Sequence, residues 1–179
     1  MSRLHKPGAQ PAPKTLTELM GQALTMEREA VARYNELADM METHNNPEVA
    51  ELFRKMAGYE QIHVNQILAD MGWADDVVVP RQSGFWNMPE SPEVVPIEEM
   101  HYLMHPWHAL QLALAAEQRA EAFFAELAGT ATSEAVRQAA EEMRQEEAEH
   151  VEMVRQWLAK VPQPDDDWAE DPDPPRYTD

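Results

Sequence analysis

The chain contains no cysteine. That absence excludes disulfides, thiolate zinc sites, iron–sulfur clusters, cysteine nucleophiles and an internal rubredoxin-type iron site in one step. Basic residues are also scarce: 14 Lys and Arg stand against 33 Asp and Glu, a formal net charge of −19. So acidic a chain has no basic face for phosphates, so nucleic acid is not an expected partner. Binding to an anionic membrane is disfavoured for the same reason, whereas cations are attracted. No apolar run approaches the ~18 residues needed to span a bilayer. The N-terminal stretch has Arg3, Lys6 and Lys14 but no apolar segment, and does not read as a secretory signal. The expected location is therefore cytoplasmic. Glycine is rare, with 6 in 179 residues, while Ala, Glu, Met, Gln and Leu are common. This balance favours helix over sheet, and the length suits one domain.

What is present is a helical period interrupted by charge. Residues 1–14, with three prolines, read as a flexible arm. Thr15 and Glu18 form a Thr-x-x-Glu helix start. From there Leu16, Met20, Ala23, Glu27, Ala30, Tyr34, Leu37 and Met41 mark one face of a first helix reaching about Thr43. Asn46-Pro47 opens a second helix, with Leu52, Met56, Glu60, His63 and Ile67 on its inner face and Gly72 past its end. Residues 72–105 hold Pro80, Gly84, Pro89, Pro92 and Pro96, which exclude a long helix. A connection of that length is expected to cross the bundle, with a short helix within 97–104. Pro106 opens a third helix with Leu110, Leu114, Glu117, Phe124 and Leu127 inward, ending near Gly129. Thr132 or Ser133 caps a fourth, reaching about Val161, with Val136, Met143, Glu147, His150 and Val154 inward and Trp157 and Leu158 following. The Pro-rich acidic tail, residues 162–179, is expected to be disordered in isolation.

The polar residues on these inner faces follow an internal repeat. Residues 27–38 read EREAVARYNELA and residues 117–128 read EQRAEAFFAELA, matching at six of twelve positions. Residues 56–64 (MAGYEQIHV) and 143–151 (MRQEEAEHV) both fit M-x-x-x-E-x-x-H-V. A Glu-x-x-His unit sets a carboxylate and an imidazole side by side on a helix face. Each unit follows a helix with an inward Glu. The pattern predicts a pseudo-twofold, all-α four-helix bundle with a central site built from Glu27, Glu60, His63, Glu117, Glu147 and His150. Mixed oxygen and nitrogen donors suit iron or manganese, and four carboxylates balance two divalent cations. Glu60 and Glu147 are expected to bridge, Glu27 and His63 to complete one ion, and Glu117 and His150 the other.

These residues resemble the rubrerythrin-like branch of the ferritin-like superfamily. The resemblance spans about residues 15–161 and rests on Glu27, Tyr34, Glu60-x-x-His63, Glu117 and Glu147-x-x-His150. It implies a ferritin-like bundle with two iron ions, manganese being an alternative at one or both positions, and a reaction with hydrogen peroxide or dioxygen. The Cys-ligated rubredoxin domain usual in rubrerythrins has no counterpart here, which makes an erythrin-like relative the nearer match and calls for an external electron-donor protein. A second helix-3 Glu common in the family falls on Ala120, with Glu121 one residue further on. Iron handling by ferroxidation, storage or delivery is the alternative, and a structural bundle with a docking tail is a third reading. A homodimer is expected.

Several other residues are read more plainly. Tyr34 is expected to hydrogen-bond a ligand carboxylate, a role that Phe124, its repeat counterpart, cannot fill. Glu121 is read as an ordinary exposed helix residue. Arg119, Arg137 and Arg144 are expected to form surface ion pairs. His101, His105 and His108 surround Pro106, and His108 faces away from Glu117, so the trio is read as structural.

Overall fold

A computed structural model of the protein describes residues 13–80, 86 and 90–174. The arm assigned to residues 1–14 therefore lies almost wholly outside the described residues. Four long helices form, α1 (Leu16–Thr43), α2 (Pro47–Met71), α3 (Pro106–Thr130) and α4 (Glu134–Lys160), and no strand occurs among the described residues. Their ends follow the local chemistry. The Thr15 hydroxyl accepts from the Glu18 amide at 3.1 Å, while the Glu18 carboxylate reaches back to the Lys14 amide at 2.8 Å. Asn46 caps α2 through the Val49 amide, Pro47 follows it, and Gly72 ends the helix at φ 65°. Ser133 is the N-cap of α4. Of the inner-face residues named for α1, all are buried except Leu16, which is 42% exposed because it lies in the first turn.

α1 packs mainly against α2 and α3 against α4, so each sequence repeat is one helix hairpin. Two apolar clusters fill the interior. One contains Tyr34, Leu37, Met41, Val49, Phe53, Met56, Leu110, Ala113 and Val154. The other contains Leu19, Leu24, Val64, Ile67, Phe124, Val136 and Met143. Each helix passes from one cluster to the other at its inward glutamate: Ala23 to Ala30 around Glu27, Ala57 to Val64 around Glu60, Ala116 to Ala120 around Glu117, and Met143 to Val154 around Glu147. A polar layer thus divides the core at mid-height. The same order gives the helix directions: α1 and α4 run one way, α2 and α3 the other.

Because α2 and α3 are parallel, the chain must return along the bundle, which for helices of 25 residues is about 37 Å long. The crossover starts at the second cluster, against which Trp73, Val77, Val79 and Trp86 pack. It ends at the first, which holds Val95 and Met104. Among its described residues the one helical turn is a 3-10 helix at Ile97–Glu99, shorter than the helix expected over 97–104. A connection without ladders has backbone carbonyls to satisfy, and arginines of the bundle supply the donors. Arg28 binds the carbonyls of Val77 (2.7 Å) and Asp75 (3.0 Å), and Arg33 that of Val95 (2.7 Å). Arg119 binds those of Pro92 (2.8 Å) and Val94 (3.1 Å).

One expectation needs correction. Arg119 fastens the crossover rather than forming a surface ion pair; Arg137 and Arg144 do pair, with Glu134 and Glu141. The tail is described in part. Residues 162–174 are placed, and Trp168 lies 3.8 Å from the His108 ring and 5.1 Å from that of His101. The Tyr102 hydroxyl donates to Asp171 at 2.7 Å. One indole provides the apolar anchor that the acidic composition conceals. Residues 175–179 lie outside the described residues.

Candidate metal centre

The mid-height layer is where the chemistry collects. Glu27, Glu60, Glu117 and Glu147 are each 0% exposed, and His150 is 8% exposed. Helical spacing places each carboxylate at the seam between the two apolar clusters, where a leucine would otherwise sit. His150 Nδ1 lies 3.3 Å from Glu117 Oε2 and 3.6 Å from Glu147 Oε2. Its Nε2 lies 2.7 Å from His63 Nε2. His63 in turn faces Glu146 across 3.7 Å at the more exposed edge of the layer.

A fifth carboxylate joins them. Glu93, on the crossover, is 0% exposed. Donor atoms of Glu60, Glu93, Glu117 and His150 lie within 4.8 Å of one another, and so do those of Glu27, Glu93 and Glu147. The structure therefore gathers Glu27, Glu60, Glu117, Glu147 and His150 into two adjoining groups that share Glu93. His63 belongs to neither group and touches the layer through His150. Sequence reasoning missed Glu93 because it lies on no helix and in no repeat. The available signal was the dipeptide Pro92-Glu93, which sets Glu93 in a turn closed by Val94 N–H donating to Ser91 O at 3.1 Å.

Burial so dense in charge perturbs every member. Burial, then the charges of Glu147 and Glu60, raises Glu27 well above 4.5. Burial and Glu27 do the same to Glu93, and burial and Glu117 to Glu147. Glu60 and Glu117 are pushed up to about 7, in both cases chiefly by burial. Burial lowers His150. Burial also presses on His63, but its hydrogen bond to Glu146 and the charge of Glu60 outweigh this and leave it raised. The 2.7 Å contact between the two imidazoles requires one Nε2 to carry a proton and the other to accept it, while His150 Nδ1 faces Glu117.

These residues fit a metal. Neither oxygen of Glu27, Glu60, Glu93 or Glu147 has a hydrogen-bond partner in the protein, and Glu117 Oε1 has none. Buried carboxylates without donors are costly, and cations are the natural complement to them. Oxygen-rich donors with imidazole suit iron or manganese.

Tyr34 sits beside the layer. It is 1% exposed, and its pKa is raised by burial and by Glu117, Glu60 and Glu93. Its hydroxyl makes no hydrogen bond, so the expected bond to a ligand carboxylate is not formed here. Tyr34 and Phe124 are both fully buried, one in each apolar cluster. Glu121 lies 3.6 Å from Arg144 in a partly exposed ion pair. The histidines around Pro106 serve the backbone: His101 Nδ1 accepts from the Leu103 amide at 3.1 Å, and His108 Nδ1 accepts from the His105 amide at 3.0 Å.

Comparison with known proteins agrees with this geometry. Residues 18–96 match the rubrerythrin family model, and residues 107–176 match a ferritin-like domain model. The crystal structure of an uncharacterized conserved protein from Magnetospirillum magnetotacticum MS-1 is 34% identical, with a TM-score of 0.61; the match covers 84% of this chain and 98% of that one. No curated protein matches significantly. Two helix hairpins, a buried carboxylate–imidazole layer and these matches together place the chain in the rubrerythrin-like branch of the ferritin-like superfamily.

Proposed function

We propose that the buried layer holds two iron ions and that the protein reduces hydrogen peroxide or dioxygen, drawing electrons from an external donor protein. One observation carries this reading: five fully buried carboxylates, their oxygens almost all without a protein partner, converge with an imidazole in two adjoining groups. Glu27, Glu60, Glu117, Glu147 and His150 would hold the ions, and His63 would join once its contact with His150 opens. Held there, two ferrous ions would supply one electron each, which with two protons would balance reduction of one hydrogen peroxide to two waters. The protein's part is to bind, orient and exclude water. The apolar clusters above and below the layer keep it dry.

The test is to reduce the iron-loaded protein anaerobically and mix it with peroxide or with oxygen under stopped flow. Rapid oxidation by one of the two, followed by re-reduction with a rubredoxin or flavoprotein, supports the proposal. Failure to react with either oxidant would end it.

Iron handling is the second reading, favoured by the ferritin-like match over residues 107–176 and by the charge of −19. It predicts many ferric ions per chain, or a hollow shell. A dimer carrying two irons per chain would rule out shell storage.

A further inference from the structure

The crossover contributes to the centre a residue that neither repeat supplies. Glu93 is the one member of the layer that stands outside the four helices, yet it is as deeply buried as any of them. Both of its oxygens lack a partner. It is also common to the two donor groups: Glu60, Glu117 and His150 surround it on one side, Glu27 and Glu147 on the other. Its position is enforced. Arg119 of α3 grips the carbonyls immediately before and after it, at Pro92 and Val94. Arg33 of α1 holds Val95 O at 2.7 Å and Glu90 Oε1 at 2.6 Å. With both flanks pinned by guanidinium forks, the turn at Ser91–Val94 directs the Glu93 side chain inward.

Packing alone gives no reason for this arrangement. A glutamate turned toward four other buried carboxylates destabilises the metal-free fold, and a valine or leucine at the same place would avoid that cost. The group Glu27, Glu93 and Glu147 contains no imidazole, so without Glu93 only two donors would remain in it. We infer that Glu93 is a metal ligand shared by both ions, carried into the centre by the crossover and held there by Arg33 and Arg119. This rests on the dinuclear reading above and adds a residue to it. A consequence is that metal loading and the order of the crossover are linked: ions that bind Glu93 also tie down residues 90–95.

Cobalt(II) titration of the metal-free full chain tests this, by calorimetry and by visible absorption, with hydrogen exchange followed over residues 90–95. Three proteins are compared: wild type, Glu93→Gln and Glu90→Gln. The first variant keeps the shape and removes a charge that burdens the metal-free fold, so it is expected to fold. The second loosens the Arg33 contact on the same segment without touching the layer. Wild type should bind two ions and slow exchange across residues 90–95. Glu93→Gln should weaken both ions by at least about tenfold, the low end for losing a partner of a metal site. It should also change the cobalt absorption bands and abolish the added protection. Glu90→Gln should bind as wild type does. Two ions held by Glu93→Gln with unchanged affinity, weakening of one ion only, or equal weakening in Glu90→Gln would each overturn the assignment. Wild type binding fewer than two ions would instead overturn the dinuclear reading, and this inference with it.

Discussion

The metal-free protein should lose stability as pH rises through neutrality, the reverse of ordinary acid unfolding. Glu60 and Glu117 are raised from 4.5 to about 7. A raised folded-state value means that the fold holds protons the unfolded chain has released. Stability from these groups is therefore complete below about pH 4.5 and is lost as pH climbs through about 7. The difference of about 2.5 pH units, at ~1.36 kcal/mol each, is about 3 kcal/mol for either carboxyl once it is ionised in both states. Set against a typical total of about 5–15 kcal/mol, that is a large fraction. Glu27, Glu93 and Glu147 are also raised, by burial and by their carboxylate neighbours, and add to the same decline. The assay is urea unfolding of chelator-treated protein by circular dichroism at about pH 5, 6, 7 and 8, with Glu117→Gln alongside. The exposed acidic surface repels itself and adds to the same trend, so the variant is the discriminating control. Its pH slope should be shallower than wild type by up to about one proton. A flat or rising wild-type profile, or identical slopes in the two proteins, would refute the account of the buried layer.

Other expectations follow from the same geometry. Saturating metal should raise stability, by about 2.7 kcal/mol at 100 times the dissociation constant. That gain should increase with pH because binding displaces protons; thermal unfolding with and without metal measures it. Glu147→Ala should abolish loading of at least one ion, as should His63→Ala; if both variants retain two irons by metal analysis, the ligand set is wrong. Tyr34→Phe removes a buried hydroxyl that makes no hydrogen bond, so metal-free stability should stay within about 1 kcal/mol of wild type or improve. A loss above about 2 kcal/mol would show that the hydroxyl has a partner in solution. At the tail, burial and the neighbouring His105 and His101 lower His108. Its contribution is complete above 6.5 and lost as pH falls below it, so the fluorescence of Trp168, read in a variant lacking the other tryptophans, should change below 6.5 and stay level above it.

Much of the centre could be read from spacing because helices convert sequence period into geometry. Glu27, Glu60, Glu117 and Glu147 occupy core positions of amphipathic stripes, and the duplicated M-x-x-x-E-x-x-H-V pattern placed them at matching heights. The caps at Thr15, Asn46 and Gly72 obey local chemistry and were equally readable. Tertiary context decided the rest. Glu93 follows no period, since its position depends on arginines 60 residues before it and 26 after it in the chain. Arg119 looked like a surface charge because nothing in a helix period says that a loop's carbonyls will meet it. His63 matched the motif as well as His150 did, yet stands one contact farther out, because its ring meets His150 before it meets a carboxylate. Composition says nothing of the contact that Trp168 makes with His101 and His108, since a single indole carries it.

The central claim is that the layer between the two apolar clusters exists to hold two metal ions. Anaerobic titration of the metal-free full chain with ferrous iron, with bound metal counted per chain after gel filtration, tests it most directly. The account predicts saturation at two irons per chain, at sites that Glu147→Ala disrupts. Binding of no iron, of a single iron, or of two irons unaffected by loss of Glu147 would contradict it.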